Sequence, residues 1–182
     1  MPKPIIYVAI ISIVIQSKLH SQETEKTSGI FYKASLATTI SVNENYEIFD
    51  EDSGTFFVPN SIFVNNTIGY QFDTRSMLGL NVEYNYHGNN RLHFLPIHLS
   101  FQYNVLQFDD NFFLRGSYGR LVGISKDFET GTFYRVGAGY QLFDANFKNS
   151  WHFGLDFTRK RFGFRQTEKL SSVSIFLEFM LF

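Results

Sequence analysis

Apolar and polar residues alternate with a period of two along most of this chain. Over 173–182 the odd positions, Val173, Ile175, Leu177, Phe179 and Leu181, are all apolar, while the even ones mix Ser174, Phe176, Glu178, Met180 and Phe182. A period of two puts successive side chains on opposite faces and predicts a strand. Seven earlier segments carry the same signal, over 30–42, 62–72, 78–87, 95–105, 112–122, 133–142 and 151–158. In 78–87, for example, Leu78, Leu80, Val82, Tyr84 and Tyr86 alternate with Gly79, Asn81, Glu83, Asn85 and His87. Turn-forming runs such as Asp73-Thr74-Arg75-Ser76 and Gly88-Asn89-Asn90 separate them. Pro96 lacks a donor for a ladder and predicts a strand end or bulge.

Apart from Arg120, no charged residue falls on the eight apolar faces. Lys33, Glu83, Arg115, Arg135, Asp156 and Glu178 all fall on the polar ones. Alternation of this kind fits a soluble lipocalin-like barrel or a β-sandwich as well as a membrane barrel. Three features favour the membrane. The polar faces hold mainly Ser, Thr, Asn, Gln and Gly with one charge per strand, too few for a soluble surface and suited to a filled lumen. Long connections over 43–60, 123–131 and 159–169 alternate with shorter ones over 73–76, 106–111 and 144–150, with 88–90 the exception. Finally, aromatics on the apolar faces gather at the end that this topology makes periplasmic: Tyr32, Tyr70, Phe72, Tyr103, Phe112, Tyr140, Trp151 and Phe179 form one girdle. Tyr84, Tyr86, Tyr134 and Phe157 form a sparser outer one. The expected fold is all-β: an eight-stranded antiparallel up-and-down transmembrane β-barrel.

Composition agrees with that expectation. Aromatics make up 18% of the 182 residues, with 22 Phe and 10 Tyr, more than a soluble core needs. The absence of cysteine excludes a disulfide framework, a thiolate metal site and a thiol nucleophile. Lys3, the apolar run 5–15 and the polar stretch 16–22 with Ser17 and Ser21 predict a signal peptide over 1–22, leaving a barrel domain over 23–182. The run is too short for the ~20 residues of a spanning helix. Without Lys3 and Lys18 the 16 Lys and Arg fall to 14 against 17 acidic residues, a balance near −3. No basic field for nucleic acid exists.

The export segment, the eight alternating strands and the terminal Phe182 resemble the small outer-membrane β-barrels of Gram-negative bacteria, the OmpA/OmpX type. The resemblance covers the whole mature chain and is one of architecture. It implies an outer-membrane location, contact with membrane lipid and lipopolysaccharide, a monomer, no cofactor, and an envelope-structural or surface-interaction role through the extracellular loops. In that family the C-terminal aromatic shares the lipid face with the residues two and four before it. Here those are Met180 and Glu178. Either a bulge shifts the register near the end, or Phe182 turns inward or frays.

The candidate chemistry is sparse. A barrel of eight strands is just filled by its own side chains, so the three cations and three carboxylates on the polar faces predict a lumen ion-pair network. A gated ion path through them is the alternative. His98-Leu99-Ser100 resembles the His-any-Ser spacing of the outer-membrane lipid A deacylases, which implies a hydrolase with Ser nucleophile and His base. In this register both side chains face the lumen, away from acyl chains, and the expectation is a non-enzymatic protein. His87, His93 and His98 have no carboxylate at ligand spacing and predict no metal site. In the outer loops, Glu44, Glu47, Asp50, Glu51 and Asp52 are acidic, whereas Arg159, Lys160, Arg161 and Arg165 are basic and predict contact with lipopolysaccharide phosphates, or pairing with the acidic loop. A third reading, an exported soluble barrel binding an apolar ligand, requires the apolar faces to point inward.

Overall fold

The computed structural model describes residues 28–42, 57–88, 91–107, 109–144 and 149–182. The export segment over 1–22 and the acidic loop lie outside the described residues.

Nine hydrogen-bonded segments form one antiparallel sheet: β1 (Gly29–Val42), β2 (Phe57–Gln71), β3 (Ser76–His87), β4 (Leu92–Phe94), β5 (Pro96–Gln107), β6 (Asn111–Leu121), β7 (Gly131–Phe143), β8 (Asn149–Phe162) and β9 (Glu168–Leu181). β4 and β5 are one strand. Asn85 pairs with Phe94 and Val82 with Ile97 in unbroken register, and the ladder lapses between them at Leu95 and Pro96, where the imino acid has no N–H to give. Each remaining strand pairs with its neighbours in sequence, and β1 pairs with both β2 and β9. The result is a closed eight-stranded barrel in which each strand is paired on both sides through the body of the wall, with one-sided pairing only at the rims.

Following ladder partners around the wall from Lys33 leads through Thr67, Asn81, His98, Gly119, Phe133 and Lys160 to Leu170. Lys33 itself pairs with Met180, ten residues farther along β9. A stagger of ten on eight strands tilts them by about 40° and sets a backbone radius of about 8 Å, the size that side chains fill.

The apolar faces point outward. Leu36, Ile68, Leu80, Leu99, Val136, Leu155 and Leu177 are all more than half exposed. This overturns the reading of an exported barrel with an apolar ligand inside, because the apolar side chains line the outer wall. Polar groups on that wall find partners on it: the Tyr32 hydroxyl donates to Asn66 Oδ1 at 2.5 Å, and Thr38 Oγ1 donates to the Ser61 carbonyl at 2.9 Å.

The interior is less uniformly polar than the alternation predicts. Phe31, Met77 and Met180 form a plug at the short-turn end; Ala37, Phe63, Phe113 and Phe176 form one at mid-height; Phe94, Leu121, Phe133 and Phe162 close the loop end. Phe182 packs against the first plug, and β9 runs to Leu181 without a register shift on either side. Of the alternatives for the last residue, the inward turn is the one observed. Bulges occur instead at Thr39/Ile40 and Asn104/Leu106.

At the short-turn end, Asp73 holds the β2–β3 turn. Its Oδ1 accepts the backbone N–H of Arg75 at 2.8 Å and of Ser76 at 2.6 Å. These two N–H groups, Arg75 first, hold its carboxyl below the usual carboxylate range.

Candidate functional site: a charged lumen and a basic outer rim

Six lumen charges that alternate with outward-facing residues come together as one chain of contacts. Lys33 Nζ lies 3.0 Å from Glu178 Oε1, and Glu178 Oε2 lies 3.3 Å from Arg115 Nη1. Arg115 clasps Asp156 through Nε (2.8 Å) and Nη2 (2.5 Å), a two-pronged contact that the planar guanidinium favours. Asp156 Oδ2 also meets Arg135 Nε at 3.4 Å, and Arg135 Nη2 donates to Glu83 Oε1 at 2.6 Å. Every member is buried. Arg115 also lies over Phe176, its Cζ 3.6 Å from the ring centroid, so the mid-height plug supports the guanidinium that joins two carboxylates. A residual cavity of about 20 Å³ lies among these side chains, room for about one water.

His152 and Ser150 extend the network, and Lys160 with His87 forms a separate buried contact. His152 Nδ1 lies 3.3 Å from Glu178 Oε1, and its Nε2 meets Ser150 Oγ at 3.0 Å. Lys160 is fully buried, with Nζ 3.1 Å from His87 Nε2 and above the rings of Phe63 and Phe94. The assignment of Lys160 to a lipopolysaccharide-contacting loop is therefore corrected. β8 continues four residues past Thr158, and its even positions keep facing inward through Asp156, Thr158, Lys160 and Phe162. Continuing the period of two beyond the apolar stretch would have found it. The connection between β8 and β9 accordingly shrinks to 163–167.

His98 and Ser100 face the lumen. Ser100 Oγ accepts from Asn81 Nδ2 at 2.8 Å, and His98 Nε2 stands 3.8 Å from Glu83 Oε2. Nothing in this arrangement reaches acyl chains outside the wall. His87 and His98 lie inside, whereas His93 meets the hydroxyl of the outward Tyr84 at 2.9 Å, so the three do not converge. Among the described residues no group of His, Asp or Glu is arranged to hold a metal ion.

The predicted girdle residues Tyr32, Tyr70, Phe72, Tyr103, Tyr140 and Trp151 all stand on the outer wall toward the short-turn end. They pack in pairs: Trp151 on Phe179 at 4.7 Å, Tyr70 on Phe72 at 5.4 Å, and Tyr140 on Phe112 at 5.3 Å. On β8 the outward side chains run Trp151, Phe153, Leu155, Phe157, Arg159, Arg161. Ten residues at about 3.3 Å each, inclined by about 40°, set Trp151 and Arg161 about 25 Å apart along the barrel axis, the height of the apolar band of a membrane barrel. Arg159 and Arg161 stand at its upper boundary. Arg165 sits in the β8–β9 connection, its guanidinium 5.3 Å from the ring of the exposed Phe164.

Among solved structures, the chain resembles the crystal structure of Neisserial surface protein A (NspA), with a TM-score of 0.58 over 85% of this chain and 97% of that one. The two share a barrel fold. Sequence identity is 13%, so the likeness concerns the fold alone. No protein-family model matches the sequence, and no curated protein does either.

Proposed function

We propose that this protein is an integral outer-membrane barrel of a Gram-negative envelope, non-enzymatic and closed to diffusion, which serves the envelope through its outer rim and loops. The observation that carries the reading is the outer wall: a closed sheet whose outward side chains form an apolar band about 25 Å high between an aromatic girdle and a row of cations. In water such a wall would expose an apolar surface many times larger than a soluble monomer tolerates. The export segment read in the sequence and the likeness to a Neisserial surface protein support the address.

The lumen supports a structural role for the charge network. Three plugs interrupt the passage, the six charges of the network are paired off, and Lys160 is held by His87 between the rings of Phe63 and Phe94. Buried ion pairs of this kind fix which strand faces which, while an unpaired member would cost several kcal/mol.

The test is fractionation of the full chain expressed in a Gram-negative host, followed by a urea wash and planar-bilayer recording. An outer-membrane barrel stays with the high-density membrane after the wash and gives no steady single-channel conductance. Release by urea contradicts the membrane assignment, and a stable ohmic conductance contradicts the sealed lumen.

A further inference from the structure

We propose that the outer rim of the β6–β9 wall is a binding site for a phosphorylated glycolipid of the lipopolysaccharide class, held by Arg120, Arg161, Lys169 and Arg159; this rests on the outer-membrane reading above. The ladder sets Arg120 opposite Thr132, Thr132 opposite Arg161, and Arg161 opposite Lys169, all in one row across four strands. Arg159 projects from the same face as Arg161, two residues below it on β8. The row beneath holds Tyr118 and Tyr134, whose rings lie 5.2 Å apart. Cations therefore stand directly on an aromatic shelf, at the height where headgroup phosphates meet acyl chains.

Three observations point to an anion from outside the chain. Arg161 and Lys169 are direct cross-strand partners, and like charges so placed repel unless an anion lies between them. Among the described residues no carboxylate stands on the outward face of any strand, and none of these four cations pairs with one. The Nε of Arg159 is buried with no hydrogen-bond partner.

The clustering is also one-sided. On the described strands, outward cations occur only at the loop ends of β6, β8 and β9, while the β1–β5 wall has none. Cations that merely snorkel would have no reason to gather on one side. A cleft of about 450 Å³ opens at the same place, lined by Tyr118, Arg120, Thr132, Arg165 and Gln166, with Thr132 Oγ1 donating to Gln166 Oε1 at 3.0 Å. Arg165 adds a fifth cation at its edge. Phosphate suits this set because guanidinium forks match its oxygens, and the apolar band below accepts the lipid's chains.

The site calls for a diphosphorylated lipid rather than a free ion. The test uses the full-length protein in neutral-lipid nanodiscs and native mass spectrometry, with diphosphoryl lipid A, its enzymatically dephosphorylated form and inorganic phosphate as probes. Each cation near a membrane surface contributes about fivefold in affinity, so the triple variant Arg120→Gln/Arg161→Gln/Lys169→Gln should lose about a hundredfold for diphosphoryl lipid A. Its affinity for the dephosphorylated lipid should not change, and Arg75→Gln/Arg91→Gln, which removes cations elsewhere, should bind as wild type. Wild-type affinity in the triple variant, equal loss in the control, or equal binding of both lipids overturns the site. Displacement of the lipid by millimolar inorganic phosphate overturns the lipid as its occupant. A cold-SDS gel of each variant keeps the two proposals separable. A heat-modifiable barrel that ignores lipid phosphate sinks this inference alone, whereas a variant and wild type that both lack the shift sink the membrane reading beneath it.

Discussion

Removing one member of the Arg115–Asp156 pair should unfold the barrel at much lower denaturant, and removing both should cost less than the two losses together. Asp156 is buried and is held by two Arg115 contacts, at 2.8 and 2.5 Å, plus Arg135 Nε at 3.4 Å. In Asp156→Asn, Arg115 keeps one carboxylate, Glu178 at 3.3 Å, and Arg135 keeps one, Glu83, with Thr158 Oγ1 also within reach of its Nε. Breaking a buried pair by deleting one charge costs about 3–5 kcal/mol when the survivor is fully orphaned. Both survivors here retain a second carboxylate, which places Asp156→Asn near the lower end, about 3 kcal/mol. Arg115→Met strands Asp156 with its weaker partner and also forfeits the contact on Phe176, at 3.6 Å. The ring contact contributes a further ~1 kcal/mol, giving about 4 kcal/mol in all. In the double variant neither charge remains to be stranded, so the coupling should be about 2 kcal/mol. Equilibrium urea unfolding of the protein in lipid vesicles, followed by Trp151 fluorescence, supplies all four corners of the cycle. Losses under 1 kcal/mol for each single variant, or strict additivity, would refute the claim that this pair is a dry, mutually dependent link in the lumen.

Three further outcomes rest on the wall, the lumen and the β2–β3 turn. Leu155, 54% exposed at mid-band, should tolerate arginine badly: Leu155→Arg should lose about 2–4 kcal/mol in lipid vesicles, and a loss near zero would mean that this face sees water. Gly137 leaves room for Asp156, and a Cβ there would collide with Asp156 Oδ1 and crowd the Leu155 carbonyl at 2.7 Å. Gly137→Ala should therefore lose about 1–3 kcal/mol in urea unfolding, reduced but not abolished in an Asp156→Gly background, where the crowding against the Leu155 carbonyl remains. The depressed Asp73 carboxyl adds stability that is present above the ordinary carboxylate range and fades as pH falls through its lowered value. Urea midpoints measured from pH 7 down to pH 2 should show this acid limb flattened in Asp73→Ala; parallel curves would remove the turn from the account.

The alternation of single residues carried most of the fold. It located all eight strands and assigned Lys33, Glu83, Arg115, Arg135, Asp156 and Glu178 to the lumen and Arg120 to the outer wall, because a period of two leaves no freedom once one residue of a strand is oriented. What it missed lies at strand ends. Beyond Phe157 the outward face turns from aromatic to Arg159 and Arg161, which reads as a loop although the ladder continues to Phe162. Lys160 thereby reads as a surface charge in sequence, and the cross-strand row joining Arg120 to Lys169 is not legible there, since pairing between strands distant in sequence is set by a stagger that no single strand encodes. The phenylalanines on polar faces, Phe63 and Phe176 among them, were likewise ambiguous. Only closure of the barrel shows that they fill its axis.

The measurement that tests the account most directly is the gel mobility of the protein in isolated outer membranes, solubilised in SDS with and without boiling. A closed barrel whose every strand is partnered, and whose lumen is held by buried ion pairs, stays folded in cold detergent and changes mobility only when boiled. That shift is the expected result in the membrane fraction. A protein that is soluble without detergent and migrates identically in both lanes would contradict it.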